Sequence, residues 1–375
     1  MNIGFYDAYK INNELYFSSC SFNGLFKLNL LSGEVTQLGN FKDELLGESY
    51  LHGSTIGYDG RIYFIPFNAK GISMYDIESD RFLFQQMSKC RYGVPMEYQE
   101  NIIIVPSNLK DNILSLNKEK KEFEVNRVLS DKVHQLVKDI GVATCDLNGS
   151  LILENQLYIG VFGESIILKI NLINYKTERI FVNGISIGNM IIFNNSIWIV
   201  SDLGKTVWCI SKRGEITSEY KVGKEEPIRN FQCFCEFNNE LYLLGCEEDN
   251  MLKYINGKWE SIISKFPPEF QRITDWSFFC RTRIYDNKLY LFPCSGNGII
   301  ILNSDDTIQF IEVKCQDIDH EKIKQLKRDD VGLLIKEGIF VEGTARIKLE
   351  DYISFLTEKG ENNEKGNSIW NGCIF

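Results

Sequence analysis

Polar and apolar positions along the chain fall into a phrase that returns seven times: a polar turn, then an aliphatic-aromatic strand ending in a small or polar residue. The copies are NNELYFSSC (12–20), DGRIYFIP (59–66), ENIIIVPS (100–107), NQLYIGVFG (155–163), NNSIWIVSD (194–202), NNELYLLGC (238–246) and DNKLYLFPC (286–294). Their anchors, the residues after the first aliphatic, are Tyr16, Tyr63, Ile103, Tyr158, Trp198, Tyr242 and Tyr290, spaced by 47, 40, 55, 40, 44 and 48 residues. A period of 40 to 50 residues holding four strand-length segments predicts a β-propeller.

Within each unit the anchor strand follows another strand across a tight turn of Asn-Asn, Asp-Gly or Asp-Asn type. Such pairs tolerate positive φ and match the twist of a two-residue hairpin. A third strand follows (GLFKLNL, GISMYDI, SIILKINL), then a fourth (EVTQLGN, RFLFQQM, EITSEYKV). The expected fold is therefore all-β: a seven-bladed β-propeller of four-stranded antiparallel blades over residues 1–315. Two segments break the rhythm. SDKVHQLVKDIG (130–141) has apolar residues at Val133, Leu136, Val137 and Ile140, which predicts a short inserted helix opened by a Ser-Asp cap. Residues 316–375 form a partly helical C-terminal extension, expected to pack on or close the propeller.

The second unit, MYDIESDRFLFQ, shows an aliphatic-Tyr-aliphatic strand, a Tyr-Asp strand end and an aromatic fourth strand. That cadence, loosely repeated over 4–313, resembles the kelch-like β-propeller superfamily. The Gly-Gly doublet of that superfamily is absent; Ser-Cys, Pro-Phe, Gly-Cys and similar pairs stand in its place. The resemblance implies architecture, and no functional residue is carried over from it.

Composition narrows the partners. A formal charge of −10 leaves no basic stripe to displace counterions from nucleic acid and disfavours an anionic membrane surface. No apolar run approaches a membrane span, and the first residues lack the basic and apolar regions of a secretory signal. Eleven scattered cysteines without a C-x-x-C pair read as reduced, buried thiols, hence a cytoplasmic protein. The wealth of Asn, Ile and Lys is that of an AT-rich bacterial genome.

Propeller ligands usually sit on the face where the inner strands begin. The loops expected there supply Tyr50, His52, Arg91, Tyr92, Asp202, Arg229, Asn230, Asp275 and Trp276. Aromatic rings for stacking and guanidiniums for carboxylates or phosphates suit a peptide or a small polar ligand. His52 is the one histidine placed to act as a general base, with Asp275 or Glu48 as its partner carboxylate. Tyr92, Ile187, Phe231 and Phe279 hold the equivalent place in other units, and that apolar company favours a packed, hydrogen-bonded histidine instead. His134 and His320 suggest no metal site, and Cys233 and Cys235 read as core. The acidic run Glu247, Glu248, Asp249 lacks the spacing of a calcium loop. No P-loop, dinucleotide fingerprint or nucleophile elbow is present, so no metal and no cofactor is expected.

The tail, with NSIW at 367–370 repeating NSIW at 195–198, is expected to dock on the propeller through Ile369, Trp370 and Phe375. Presentation of IWNGCIF, with Cys373 as a target of modification, is the competing reading. The leading function is a non-catalytic binding or scaffold protein that holds a peptide, a protein or a small acidic ligand at the propeller mouth. An enzyme at the channel mouth (a lyase, isomerase or hydrolase on a sugar or peptide) is the alternative, and a carrier of the C-terminal peptide the third.

Overall fold

In the computed structural model, the described residues are 4–41, 44–87, 90–223, 231–245, 250–263, 266–271, 279–294 and 296–314. They form seven four-stranded antiparallel sheets, at 9–39, 52–86, 96–125, 150–181, 187–221, 231–263 and 279–312, which we number blades 1 to 7. Strands follow one another in sequence order across every blade. The first strand of each blade is innermost, and successive inner strands pack side by side around the axis.

Local chemistry explains the hairpins. Between first and second strands Asn194 and Asn195, Asn238 and Asn239, and Asp286 and Asn287 all take positive φ, the conformation that suits Asn and Asp in a tight primed turn. Asp59 and Gly60 do the same in blade 2. The seven anchors of the repeated phrase are all buried, so the phrase marks the packing between blades. Tyr63, for example, packs edge-on against Phe123 of blade 3 and donates its hydroxyl to the Lys121 carbonyl at 3.1 Å.

Ring closure uses no shared blade, since blade 1 and blade 7 each draw all four strands from one end of the described chain. Instead the first residues stitch the two blades together. Phe5 N–H donates to the Pro293 carbonyl at 3.0 Å, and Cys20 N–H to that of Gly4 at 2.8 Å. Phe5 stacks on Phe17 at 4.0 Å and meets Phe292 at 5.7 Å, within a core shared with Ile299 and Ile311. At the outer edge, Glu34 pairs with Lys314 in a parallel bridge.

One helix, α1 (Arg127–Val137), precedes blade 4. It begins four residues earlier than the Ser130-Asp131 cap predicts. Asn126 caps it, accepting the Leu129 N–H at 3.1 Å, while Ser130 lies inside the first turn and donates to the Asn126 carbonyl at 2.7 Å. Leu129, Val133, Leu136 and Val137 are buried against blades 3 and 4. The C-terminal extension, including Ile369, Trp370, Cys373 and Phe375, lies outside the described residues.

A regularity invisible in the repeated phrase positions the site. In blades 2, 5, 6 and 7 the inner strand carries a β-bulge near its start, between His52 and Ser54, Ile187 and Asn189, Phe231 and Cys233, and Phe279 and Thr282. A bulge rotates the strand locally and re-aims its side chains. The residue before the bulge therefore turns into the packed interface, and the residue at or after it turns toward the axis.

Candidate functional site: the central channel

Alternate residues of the inner strands face the axis, because a strand sends successive side chains to opposite sides. They enclose a cavity of about 380 Å³. Blades 3 and 4 contribute Val94, Met96, Asn148 and Ser150 to its wall; Asn189, Cys233, Arg281 and Arg283 come from blades 5 to 7. Glu97, exposed, marks the end where the inner strands finish.

Two arginines dominate its electrostatics. Arg283 forks onto Asp7, with Nε to Oδ1 at 3.0 Å and Nη2 to Oδ2 at 2.6 Å, and Nη2 also donates to the Thr55 carbonyl at 2.7 Å. Asp7 is buried and also accepts from the backbone N–H groups of Ala8 and Thr55 and from the Thr55 hydroxyl. Burial alone would lower the Arg283 pKa, but the Asp7 charge and hydrogen bonds carry it above its ordinary value.

Arg281 is different. It is only 4% exposed, and among the described residues it has no ion-pair partner. Its Nε donates to the Gly53 carbonyl at 3.1 Å and its Nη2 to that of Leu147 at 3.5 Å, whereas Nη1 is buried with no acceptor. Burial pushes its pKa below the usual guanidinium value, partly offset by Asp7. Asn189, 2% exposed, also lines the cavity, and its Nδ2 is buried with no acceptor among the described residues.

The residues expected at the mouth separate into three groups. Tyr50, Arg91 and Tyr92 lie on blades 1 to 3 at the mouth. Tyr6 contacts Tyr50 at 5.7 Å and Phe67 at 5.4 Å between ring centres, and the Arg91 guanidinium covers Phe67 at 4.4 Å. Tyr50 holds φ at 55°, strained for an aromatic residue and characteristic of functional loops. Phe67 lies against Gly53, whose carbonyl grips Arg281, so this rim adjoins the channel. Tyr92 is buried beneath the rim, where burial raises its phenol pKa, and Asp202 turns back on its own loop to accept the Leu203 N–H at 2.8 Å.

His52 forms the second group. The bulge after it turns the ring between blades 1 and 2, where Nδ1 meets Ser18 Oγ at 2.9 Å and Nε2 meets Ser73 Oγ at 3.0 Å. Phe41 packs edge-on at 4.5 Å, and burial drives the imidazole pKa down to about 3. Both ring nitrogens are engaged by the fold, and neither faces the channel cavity. Arg229, Asn230, Asp275 and Trp276 make up the third group and lie outside the described residues. Glu48, the other carboxylate considered for His52, is half-buried in the loop before blade 2.

Sequence reasoning missed Arg281, Arg283, Asn189 and Asp7. The available signal was FCRTRIY, in which two arginines two residues apart on an innermost strand must share one face. Among the described residues no group of three His, Cys, Asp or Glu side chains could hold a metal ion, and no helix is long and apolar enough to cross a membrane.

No family model matches the chain, and no curated protein matches it. Solved structures do. A streptogramin B lyase superposes with a TM-score of 0.50 at 13% identity, over 69% of this chain and 82% of that one. The extracellular domain of a protein described as a one-component system from B. thetaiotaomicron gives 0.54 at 12% identity, over 80% of this chain and 38% of that one. A chain of the mitotic checkpoint complex gives 0.51 at 10% identity, over 84% and 88%. At such identities the likeness establishes the seven-bladed propeller fold alone.

Proposed function

We propose that this propeller is a binding module that holds a small acidic ligand, or an acidic group of a peptide, at the mouth of its central channel. One observation carries the reading: the cavity of about 380 Å³ is walled by a buried arginine, Arg281, and a half-buried one, Arg283, and among the described residues the one ion pair between them and a carboxylate is Arg283 with Asp7. Asp146 and Glu97 act on the two guanidiniums, but among the described residues neither is ion-paired to Arg281. A buried charge without a partner is costly, so its retention points to an anion supplied from outside. The adjoining rim of Tyr50, Phe67 and Arg91 offers aromatic and cationic surface to the rest of such a ligand. The kelch-like cadence of the blades agrees with a module that works by binding. Cys20, Cys90, Cys145, Cys209 and Cys235 are buried free thiols, in keeping with a reducing, cytoplasmic compartment.

The test is thermal-shift screening of the purified full-length chain against acidic, neutral and basic small molecules. Acidic compounds are expected to raise Tm, and Ser150→Trp, which fills the channel, is expected to abolish the effect. An acidic class that never raises Tm, or shifts that survive Ser150→Trp unchanged, contradicts the reading.

A further inference from the structure

Two charges of opposite sign line the channel near the end where the inner strands finish. Arg283 stands two residues before the end of its inner strand, Phe279–Tyr285 in blade 7, and Glu97 one residue before the end of Met96–Tyr98 in blade 3. Ile152 and Ile191, both half-buried and equally close to the ends of their strands, line the same cavity.

Arg283 offers this space a fixed donor. Its Nε and Nη2 are engaged by Asp7 and the Thr55 carbonyl, which sets the plane of the guanidinium. Nη1 makes no hydrogen bond among the described residues and is not enclosed by them, and 26% of the side chain stays exposed. Glu97 is exposed, and among the described residues its carboxylate has neither a hydrogen bond nor an ion pair. The two groups feel one another without meeting. The Glu97 charge helps to raise the Arg283 pKa, yet the pair, on blades 3 and 7 across the channel, forms no ion pair.

That gap discriminates between ligands. A plain acid that reaches Arg283 Nη1 enters the repulsive field of Glu97. A ligand that also carries an ammonium group turns the repulsion into a second attraction, and its apolar body meets Ile152 and Ile191. Resting on the reading of the channel as an acidic-ligand site, we infer that the ligand is a small zwitterion of the amino-acid class, its carboxylate on Arg283 Nη1 and its ammonium on Glu97. Glu97 is then the residue that separates amino acids from plain acids.

Two zwitterions of different span, leucine and 6-aminohexanoate, are compared with counterparts that carry one charge. 4-Methylpentanoate and hexanoate lack the ammonium, and 3-methylbutylamine and pentylamine lack the carboxylate. Each is titrated by calorimetry at neutral pH and fixed ionic strength into the wild-type full-length chain, Glu97→Gln and Ser150→Trp, with circular dichroism and ligand-free Tm as checks on folding. In at least one series the zwitterion is expected to bind wild type about tenfold or more tighter than both counterparts. Glu97→Gln, an isosteric change at an exposed position, is expected to bring the preference over the plain acid below about threefold. A preference under tenfold in both series overturns the inference, as does one that Glu97→Gln leaves at threefold or more, or zwitterion binding that survives Ser150→Trp. Plain acids that bind as well as the zwitterions, with Ser150→Trp blocking both, remove the zwitterion and spare the acidic-ligand channel. Absence of binding by every acid, with or without its ammonium, removes the zwitterion, and an acidic library that also gives no Ser150-dependent shift removes the channel reading with it.

Discussion

Replacing Asp7 tests how the ring is closed. Its carboxylate is 3% exposed and accepts five hydrogen bonds, from Ala8 N, Thr55 N, Thr55 Oγ1 and two nitrogens of Arg283. It thereby ties the N-terminal segment to blades 2 and 7. Asp7→Ala leaves the half-buried Arg283 without its partner, beside Arg281, which among the described residues has no ion pair. Breaking one side of a fully buried ion pair costs about 3–5 kcal/mol, and the 26% exposure of the Arg283 side chain puts this one at the low end, about 3 kcal/mol. For a propeller of this size an unfolding entropy of about 2 cal/mol/K per residue turns that into a Tm loss of roughly 5 °C. Much of the cost is the stranded charge rather than the lost attraction. Asp7→Ala/Arg283→Met should therefore be more stable than Asp7→Ala alone, by at least about 1 kcal/mol. Urea denaturation of wild type, both single variants and the double variant completes the cycle. A cost for Asp7→Ala below about 1 kcal/mol, or strictly additive effects, would refute the reasoning, since independent contacts would then close the ring.

Other parts of the fold make separate predictions. His52 has a folded pKa of about 3 against about 6.5 when unfolded, so the unfolded chain binds the extra proton between these values. That contribution to stability is complete above about pH 6.5 and is lost as pH falls toward 3, amounting to about 2 kcal/mol between pH 7 and pH 5. Denaturation at both pH values should show His52→Gln lacking this part of the slope; an unchanged slope would place the acid sensitivity elsewhere. Asn126→Ala removes the cap of α1 and should cost about 1 kcal/mol, while Ser130→Asp, at the wrongly predicted cap, should not strengthen the helix. Gly204 holds φ at 67° with the Phe231 backbone where a Cβ would lie, so Gly204→Ala should cost about 2 kcal/mol or more by the same assay.

What could be read from the chain, and what could not, divides along physical lines. The blades were legible because the hydrophobic period, the Asn and Asp turn pairs and the buried anchors such as Tyr63 and Tyr158 all state one local rule repeatedly. The start of α1 was misplaced because both Asn126 and Ser130 are competent caps, and only the packing of Leu129 against blade 3 chooses between them. The channel was illegible for a deeper reason. Inner strands are buried on both faces, so alternation does not say which face looks into the channel and which into the next blade. The bulge settles that, and it leaves no residue signature: Gly53, Gly188, Gln232 and Cys280 occupy the second position of the four bulged strands. Hence His52, assigned to the mouth by position, packs between blades, while Arg281 and Arg283, read as part of a hairpin, reach the channel. Tyr50 and Arg91 sit in loops, where no such rotation comes between position in the sequence and placement in the fold.

The most direct test of the channel as an acidic-ligand site is a crystal of the full-length chain soaked in 4-bromobenzoate, with the bromine located by its anomalous signal. The account predicts bromine inside the channel, with the carboxylate beside the guanidinium of Arg281 or Arg283. Bromine found solely on the outer surfaces of the blades, with the channel holding no anion beside Arg281 or Arg283, would contradict it.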